Sequence, residues 1–381
     1  MDDINTVLTR GVDQILPSKD ELASLMKKRK ITLYQGFDPS MPNLHLGNIV
    51  GLRKLAQFQK LGHNVIFLVG DFTGMIGDPT DKLAARKKLT RKEVLANTKA
   101  WKDQAGKVLD FEGDNKAVFK FNSEWLDKLT FKDLIDYCSY FTVQQMIERK
   151  MFQKRLETEK PIYLHEFLYP LAQAIDSLKM KVDLEIGGND QMFNMLAGRS
   201  LVGSVDKREK YVLTTKLITD NTGEKAGKTT GNTLFLNSTP EEFYGGVMSF
   251  SDEILFLSFE LLTDIKLDGL EEKIKTDPME YKKTLAFDIV KQLWNESAAK
   301  KAQLTFKKTF QEKAPSYDKS IKANKDLLST IEELVGSKSE TKRLIAQGAV
   351  DVNDKKIDNP LSKVKSDDKI KIGKRIFVKI E

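Results

Sequence analysis

The first half of the chain is predicted to form an α/β domain built on a parallel sheet. Strand-like runs occur at 31–36 and 64–70, with a third at 117–121, and helical patterns lie between them. The intervening helix ends at Leu61-Gly62, a typical helix stop that leads directly into the next strand. These elements form a βαβ unit, and a ligand is expected at the carboxyl ends of its strands.

The start of the first helix of that unit has the features of an anion site. His45, Gly47 and Asn48 lie where the helix opens, and its apolar positions share one face: Ile49, Leu52, Leu55 and Phe58. Backbone N–H groups and the positive end of the helix dipole attract phosphate, Gly47 allows close approach, and His45 adds an imidazole donor. Ordinary helix capping is the alternative for a motif this short.

A second basic segment lies far downstream. Lys225, Lys228 and Thr229 stand between two turn-prone stretches, 221–223 and 231–232. Two lysines and a hydroxyl suit a loop that contacts phosphate. A solvated surface loop is the alternative for this segment alone.

A predicted helix places three polar groups on one face. Tyr169, Gln173 and Asp176 fall at i, i+4 and i+7, where a buried helix face would be apolar. Buried polar groups need partners, and a bound ligand can supply them. The alternative for Asp176 is a helix cap or a pair with a lysine.

A glycine-containing stretch at 187–191 follows the strand-like run 182–186. Glycines after a strand let the backbone approach a ligand closely, and Gly188, Asp190 and Gln191 are candidates for that contact. A plain turn is the alternative.

Beyond residue 238 the signals are first helical and then mixed. They comprise amphipathic runs at 252–264 and 278–298, a Lys-rich linker at 300–326, a helix at 337–347 and short strands at 350–353 and 369–380.

Composition sets outer limits on the protein. With 381 residues, 43.3 kDa and 40% apolar residues, two or three domains with real cores are expected. No stretch has the apolar length of a membrane span, and residues 1–30 lack a signal-peptide pattern, so a cytoplasmic location without membrane contact is expected. The single cysteine, Cys138, excludes an internal disulfide and is expected to be a buried hydrophobe. Three histidines leave no Cys/His cluster for a structural zinc.

The formal net charge of +7 is concentrated at the end of the chain. Residues 338–381 hold twelve Lys or Arg and seven Asp or Glu, a balance of +5. A basic terminal module indicates a polyanion partner, with a solubilising charged surface as the alternative.

The two phosphate-handling elements, with the residues between them, resemble the two signatures of the class I aminoacyl-tRNA synthetases. Within that class the chain is similar to the bacterial-type tyrosyl-tRNA synthetases, from Leu8 near its start to its last strand at 376–380. The segments 342–345 and 347–350 resemble the S4-like RNA-binding domain that ends many of these enzymes.

The resemblance implies a domain order and an activity. A Rossmann-like catalytic domain would span 1–230, with a dimer-forming insertion around 80–160. An α-helical anticodon-recognition domain would span 231–320, and the S4-like domain 325–381. A homodimer would activate tyrosine with ATP and pass it to tRNA(Tyr), with Mg²⁺ accompanying the ATP and no metal held tightly by the protein.

The resemblance also assigns roles to single residues at the amino-acid end of the site. Tyr34 would donate to the phenolic oxygen of tyrosine, and Asp176 would accept the phenolic proton. The ammonium group would lie against Asp78, Tyr169 and Gln173, with Thr73 nearby and Gln191 close to the reacting carboxylate.

The remaining assigned residues would contact nucleotide or RNA. ATP or the adenylate would lie against Gly36, Asp38, His45, Gly47, Asn48, Gly188, Asp190, Lys225 and Lys228. During the reaction, phosphate charge would be stabilised by His45, Asn48, Lys225, Lys228 and Thr229. RNA phosphates would be contacted by Lys338, Lys342 and Arg343.

Departures from the family pattern keep two alternatives open. Asn48 stands where the first signature usually has a second histidine, and 226–227 and Thr229 also depart from the usual second signature. Asparagine at this position is familiar in tryptophanyl-tRNA synthetases, the first alternative, although Tyr34, Gln173 and Asp176 suit a phenol better than an indole. A noncatalytic RNA-binding or splicing protein on a synthetase scaffold is the alternative of another class, and it predicts RNA affinity without adenylate formation.

Overall fold

The chain folds into two compact units. A computed structural model describes residues 3–80, 89–219, 234–311, 317, 319–373 and 376–381. One unit comprises Met1–Ser238 with Phe250–Leu285, and the other comprises Thr239–Ser249 with Ala286–Glu381. The domain boundaries at 230 and 320 expected from the sequence stay predictions.

The first unit is built on a six-stranded sheet in the order β1-β6-β5-β2-β3-β4. Neighbouring strands are parallel except at the β1 edge, where β1 runs antiparallel to β6. The strands are β1 Val12–Leu16, β2 Thr32–Phe37, β3 Asn64–Val69, β4 Val118–Phe121, β5 Leu184–Gly188 and β6 Tyr211–Thr215.

Helices surround this sheet and continue into the second unit. In the first part of the chain they are α1 Ile4–Val7, α2 Lys19–Lys28, α3 Leu46–Lys60, α4 Thr73–Ile76, α5 Arg91–Thr98, α6 Trp101–Ala105, α7 Ser123–Leu126, α8 Phe131–Cys138, α9 Val143–Ile147, α10 Lys150–Glu157, α11 Leu164–Met180 and α12 Met192–Asp206. Further on they are α13 Pro240–Val247, α14 Leu255–Leu262, α15 Leu270–Thr276, α16 Pro278–Leu293, α17 Glu296–Phe306, α18 Leu327–Val335 and α19 Lys338–Ala346.

The predicted α/β class with a parallel sheet is confirmed. The runs at 31–36, 64–70 and 117–121 are β2, β3 and β4, and α3 connects the first two. Helix α3 begins at Leu46, because His45 takes the N-cap position. Gly187 and Gly188 belong to β5 itself, so the prediction that they follow the strand is wrong.

Aromatic side chains fill the core beside β3. The rings of Phe37 and Phe119 stack on opposite sides of Phe67, with centroids 4.5 and 5.0 Å from it. Phe67 is fully buried, which gives these contacts their full hydrophobic value. This packing holds the carboxyl ends of β2 and β3 in fixed register.

The second unit ends in a five-stranded sheet in the order β7-β11-β10-β8-β9. Its strands are β7 Lys319–Ile321, β8 Val350–Val352, β9 Lys355–Lys356, β10 Lys369–Ile372 and β11 Ile376–Ile380. The buried cluster of this unit includes Leu327, Ile331, Ile345 and Ile370.

The helix predicted at 337–347 is α19. The prediction of a linker from residue 300 is wrong for 300–311, because α17 and a π-helical turn, Lys307–Gln311, extend through it.

The structure bears on two sequence-based expectations, the burial of Cys138 and the question of a membrane-spanning helix. Cys138, expected to be buried, is exposed at the end of α8. Among the described residues, no helix is both long and apolar enough to cross a membrane.

Candidate active site

A cavity of about 300 Å³ opens at the carboxyl ends of the central strands. The strand ends, the start of α3 and one face of α11 all contribute to its wall. The described residues that were predicted to form the site all line it: Tyr34, Gly36, Asp38, His45, Gly47, Asn48, Thr73, Asp78, Tyr169, Gln173, Asp176, Gly188, Asp190 and Gln191.

One end of the cavity is organised around the carboxyl group of Asp176. This side chain is 2% exposed, and it accepts hydrogen bonds from Trp125 Nε1 at 2.8 Å and Asn122 Nδ2 at 3.2 Å. Burial raises the pKa of Asp176 well above its ordinary value, against the opposing effect of these two hydrogen bonds. Such a carboxyl group can accept a hydrogen bond from a neutral hydroxyl of a ligand.

The hydroxyl group of Tyr34 lies at the same end. Tyr34 is fully buried in β2, and its oxygen lies 2.8 Å from Ser177 Oγ. Ser177 Oγ also lies 3.3 Å from Glu185 Oε2, to which it can donate. Burial, followed by the nearby carboxylates of Glu185 and Asp176, raises the pKa of Tyr34 well above its usual range. Tyr34 therefore keeps its hydroxyl hydrogen and remains a donor as well as an acceptor.

The middle of the cavity is rich in hydrogen-bond acceptors. Asp38 accepts from Tyr169 Oη at 2.8 Å and from Thr73 Oγ1 at 2.7 Å. Asp78 accepts from Gln191 Nε2 at 2.8 Å. Two carboxylates and a phenolic oxygen in one concave wall form a setting that favours a cation.

Gln173 projects from α11 beside these groups. Its Nε2 donates to Glu185 Oε1 at 2.9 Å. The amide carbonyl oxygen is therefore the end of the side chain that can accept from a ligand.

The other end of the cavity is the start of α3. His45 Nδ1 accepts from Gly47 N at 3.1 Å, and Asn48 Oδ1 accepts from His45 N at 2.9 Å, so the two side chains form a capping box. A neutral imidazole whose Nδ1 accepts carries its hydrogen on Nε2, which makes that atom a donor. Asn48 likewise keeps its Nδ2 as a donor.

Gly47 and Gly188 bring the backbone close to the side chains that line the cavity. A Cβ atom at position 47 would lie 3.0 Å from His45 Cε1. At position 188 it would lie 2.5 Å from Asp190 Oδ1 and 2.7 Å from Leu217 Cδ2. A side chain at either position would displace residues that line the cavity.

The remaining predicted residues fall into two groups. Lys225, Lys228 and Thr229 lie outside the described residues. Lys338, Lys342 and Arg343 lie on α19 in the other compact unit, with their side chains exposed. Among the described residues, no group of three or more His, Cys, Asp or Glu could hold a metal ion.

Sequence reasoning missed several buried polar residues around the cavity. Asn122 directly follows β4, so the rule that ligands meet strand ends could have indicated it. Glu185 interrupts an apolar strand, which is itself a signal that the position is not ordinary core. Ser177 and Lys210 carry no comparable local signal, because only the folded chain brings them to Glu185.

Comparison with known proteins gives a consistent result. The family described as class I tRNA synthetases (W and Y) matches residues 26–311. The tyrosine–tRNA ligase of Aquifex aeolicus is 39% identical over 384 residues, covering 98% of this chain and 97% of that protein. The tyrosine–tRNA ligase of Haemophilus influenzae is 40% identical over 395 residues, covering 100% and 98%.

Solved structures agree on the fold. A C-terminally truncated mitochondrial tyrosyl-tRNA synthetase of Aspergillus nidulans superposes with a TM-score of 0.70 at 20% identity, covering 81% of this chain and 94% of that one. The tyrosyl-tRNA synthetase of Archaeoglobus fulgidus, complexed with L-tyrosine, gives a TM-score of 0.61 at 19% identity, covering 79% and 100%. At these identities the likeness concerns the fold.

Proposed function

Because the chain belongs to the tyrosine–tRNA ligases of the class I tRNA synthetase family, we propose that its cavity activates tyrosine with ATP and transfers it to the 3′ end of tRNA(Tyr). The observation that supports this most strongly is the buried pair of Asp176 and Tyr34 at the closed end. A phenol that donates to Asp176 and accepts from Tyr34 satisfies both groups. Phenylalanine offers Asp176 no donor and Tyr34 no acceptor, a loss for which this same enzyme family is the established example, at roughly 10⁵-fold.

The acceptor-rich middle of the cavity supports binding of the ammonium group. Asp78 supplies a carboxylate, and Tyr169 and Gln173 supply oxygen acceptors. Thr73 orients Asp38 by donating to it. Gln191, held by Asp78, lies where it can approach the reacting carboxylate of tyrosine.

In the activation step the tyrosine carboxylate attacks the α-phosphorus of ATP in line, and pyrophosphate leaves with the electron pair of the broken P–O bond. The ribose hydroxyl of tRNA then attacks the tyrosyl carbonyl, and AMP leaves. Neither step needs a nucleophile from the protein. Positioning and stabilisation of developing charge supply the acceleration.

The start of α3 supports the role of stabilising phosphate charge. His45 Nε2 and Asn48 Nδ2 are donors beside the positive end of the helix dipole. Lys225, Lys228 and Thr229 complete the phosphate contacts in this proposal. Mg²⁺ accompanies ATP through phosphate oxygens. Gly36, Asp38, Gly188 and Asp190 face the adenosine side of the adenylate.

We propose that the protein acts as a homodimer through an apolar face on α8 and α9. Helix α8 has no buried residue, yet Phe131 and Ile135 lie one turn apart on it with 78% and 55% of their surface exposed. Val143 on α9 is 69% exposed. Such a patch is typical of a protein interface. Sedimentation should give twice 43.3 kDa for the wild type and for Lys275→Glu, a distant surface control, and a monomer for Ile135→Asp.

We also propose that the C-terminal module binds tRNA through α19. Lys338 and Lys342 are exposed, whereas Arg343 is paired with Glu340 at 2.5 Å. Each phosphate contact makes the slope of log affinity against log salt more negative by about 0.9, the value for a nucleic-acid duplex. Lys338→Ala and Lys342→Ala should each reduce the magnitude of that slope by about one, and Arg343→Ala by less. Unchanged slopes would contradict an RNA-binding role for α19.

Tyrosine-dependent ATP–pyrophosphate exchange tests the central proposal, with tryptophan and phenylalanine measured in parallel. Exchange with tyrosine alone is expected. Exchange with tryptophan instead would move the assignment to the other branch of the family. Absence of exchange with any of the three would favour the noncatalytic RNA-binding alternative. The cytoplasmic location expected from the sequence stays a prediction.

A further inference from the structure

A buried ion pair lies behind the amino-acid end of the cavity. Lys210, directly before β6, is fully buried, and Glu185 on β5 is 1% exposed. Lys210 Nζ bonds Glu185 Oε2 and also donates to the carbonyl oxygen of Met195 at 3.1 Å. A wholly buried ion pair is weak evidence for stability, because desolvation offsets the attraction between the charges. Stability therefore does not explain why the Glu185–Lys210 pair lies behind the cavity.

The neighbouring helix leaves space for this pair. At Gly198 on α12, a Cβ atom would lie 2.6 Å from Lys210 Nζ and 3.0 Å from Ser177 Oγ. It would also approach Glu185 Oε2 to 3.4 Å. Glycine at this position thus makes room for the ammonium group and both of its neighbours.

The first effect of the pair concerns Gln173. Glu185 Oε1 accepts from Gln173 Nε2 at 2.9 Å, while Glu185 Oε2 is held by Lys210. A carboxylate can only accept, so it selects the amide orientation that presents nitrogen to itself and oxygen to the cavity.

The second effect concerns Tyr34. Ser177 has one hydroxyl hydrogen, which can go to Glu185 Oε2 at 3.3 Å or to Tyr34 Oη at 2.8 Å. Because Lys210 already satisfies Glu185 Oε2, the hydrogen of Ser177 can turn to Tyr34. The hydroxyl hydrogen of Tyr34 can then point to a phenolic oxygen in the cavity.

We propose that the Glu185–Lys210 pair is a positioning element for tyrosine, which sets Gln173 as an acceptor for the ammonium group and Tyr34 as a donor to the phenol. This inference rests on the proposed function. Lys210 is absent from the cavity wall, and it acts through Glu185.

Isothermal titration of the full-length protein with L-tyrosine, and separately with ATP, tests the proposal. Lys210→Met leaves Glu185 without its charge partner, and the Kd for tyrosine should rise at least tenfold while the Kd for ATP changes less than twofold. In Glu185→Gln/Lys210→Met no buried charge is unpaired, but the introduced amide can donate as well as accept, so Gln173 loses its set orientation. The Kd of this double variant for tyrosine should therefore stay at least tenfold above the wild type, whereas a variant defect caused only by the unpaired charge would be restored.

Two further variants serve as a matched control and as a second way to perturb Lys210. Arg199→Met removes the half-exposed Arg199–Glu209 pair, which joins α12 to the residue before Lys210, and should leave both Kd values unchanged. Gly198→Ala pushes on Lys210 Nζ without removing it, so it should raise the Kd for tyrosine in the same direction even if Lys210→Met fails to fold. Thermal unfolding establishes which variants are folded.

An unchanged Kd for tyrosine in folded Lys210→Met, or in Gly198→Ala where Lys210→Met is unfolded, overturns the inference. Parallel loss of tyrosine and ATP binding also overturns it, since a general structural role would behave in that way. Recovery of the tyrosine Kd in the double variant overturns it as well, since it would mean that only the unpaired charge of Glu185 matters. No tyrosine binding by the wild type overturns the proposed function together with this inference.

Discussion

The two ends of the cavity handle polar ligand groups in different ways. Around Asp176 the partners are side chains buried in the protein, including Asn122, Trp125 and Tyr34. Around His45 they are the backbone N–H groups and caps of α3, where His45 is half-buried and Gly47 exposed. Buried groups discriminate by the penalty for leaving them unpaired, whereas a helix start attracts any suitably placed anion. In the proposed function, amino-acid selectivity therefore belongs to the first end and phosphate handling to the second.

The largest expected effect comes from replacing Asp176 at the buried end of the cavity. Asp176→Asn replaces one carboxyl oxygen with an NH2 group, which cannot accept from the phenol, so the preference for tyrosine over phenylalanine in kcat/KM should fall about 10³-fold, out of roughly 10⁵ for such sites. Pyrophosphate exchange with each amino acid measures it. Activity with phenylalanine should stay within a few-fold of the wild type. An unchanged ratio would contradict the role of Asp176.

At the other end, His45→Asn separates capping from charge stabilisation. Asparagine is among the best N-cap residues, so α3 should keep its stability, but the imidazole donor is lost. Removing one such donor lowers kcat by about 10²-fold. Single-turnover adenylate formation measures the rate, and thermal unfolding measures the helix. An unchanged rate of adenylate formation in His45→Asn would mean that His45 serves only as a cap.

Asn48→His should produce a smaller change at the same end. A neutral histidine can still accept from the N–H of residue 45, whereas a protonated histidine gives up that bond and adds a positive charge near the phosphates. The KM for ATP should fall about threefold, in keeping with a partly screened surface interaction. Asn48→Ala, which loses the cap, should raise it. An ATP affinity and activation rate unchanged by Asn48→His would exclude a role for this position.

The smallest effect concerns stability. Because the pKa of Asp176 is raised in the folded protein, the unfolded state loses its proton first, at about pH 3.9. As the pH rises above that value, ionisation of the unfolded state favours unfolding, until the pH passes the folded-state pKa. Asp176→Asn removes this effect, so the Tm of the variant should gain on that of the wild type by about 2–4 °C between pH 4 and neutral pH.

Calorimetry of the ligand-free protein at several pH values measures this difference. The difference should shrink as the pH approaches 4, where the carboxyl is protonated in both states. A Tm difference that is constant with pH, or that grows as the pH falls, would contradict the proposed cost of burying Asp176.

The candidate site was predictable where its signals are local. His45, Gly47 and Asn48 open a helix after a strand, and Tyr169, Gln173 and Asp176 share one helical face, so periodicity alone placed each group on one element. The parallel sheet followed from the same alternation, and both groups line one cavity in the folded chain.

Helix and strand periods act over a few residues, which is why the amino-acid order alone indicated the sheet, the helix start and the polar face of α11. The partners of those groups come from distant parts of the chain: Glu185 meets Gln173 and Lys210 across β5, α11 and the start of β6. Whether a polar group is left to face a ligand depends on which neighbours already satisfy it. That selection of partners is a property of the packed core, since contacts between distant segments exist only after the sheet and its helices have come together.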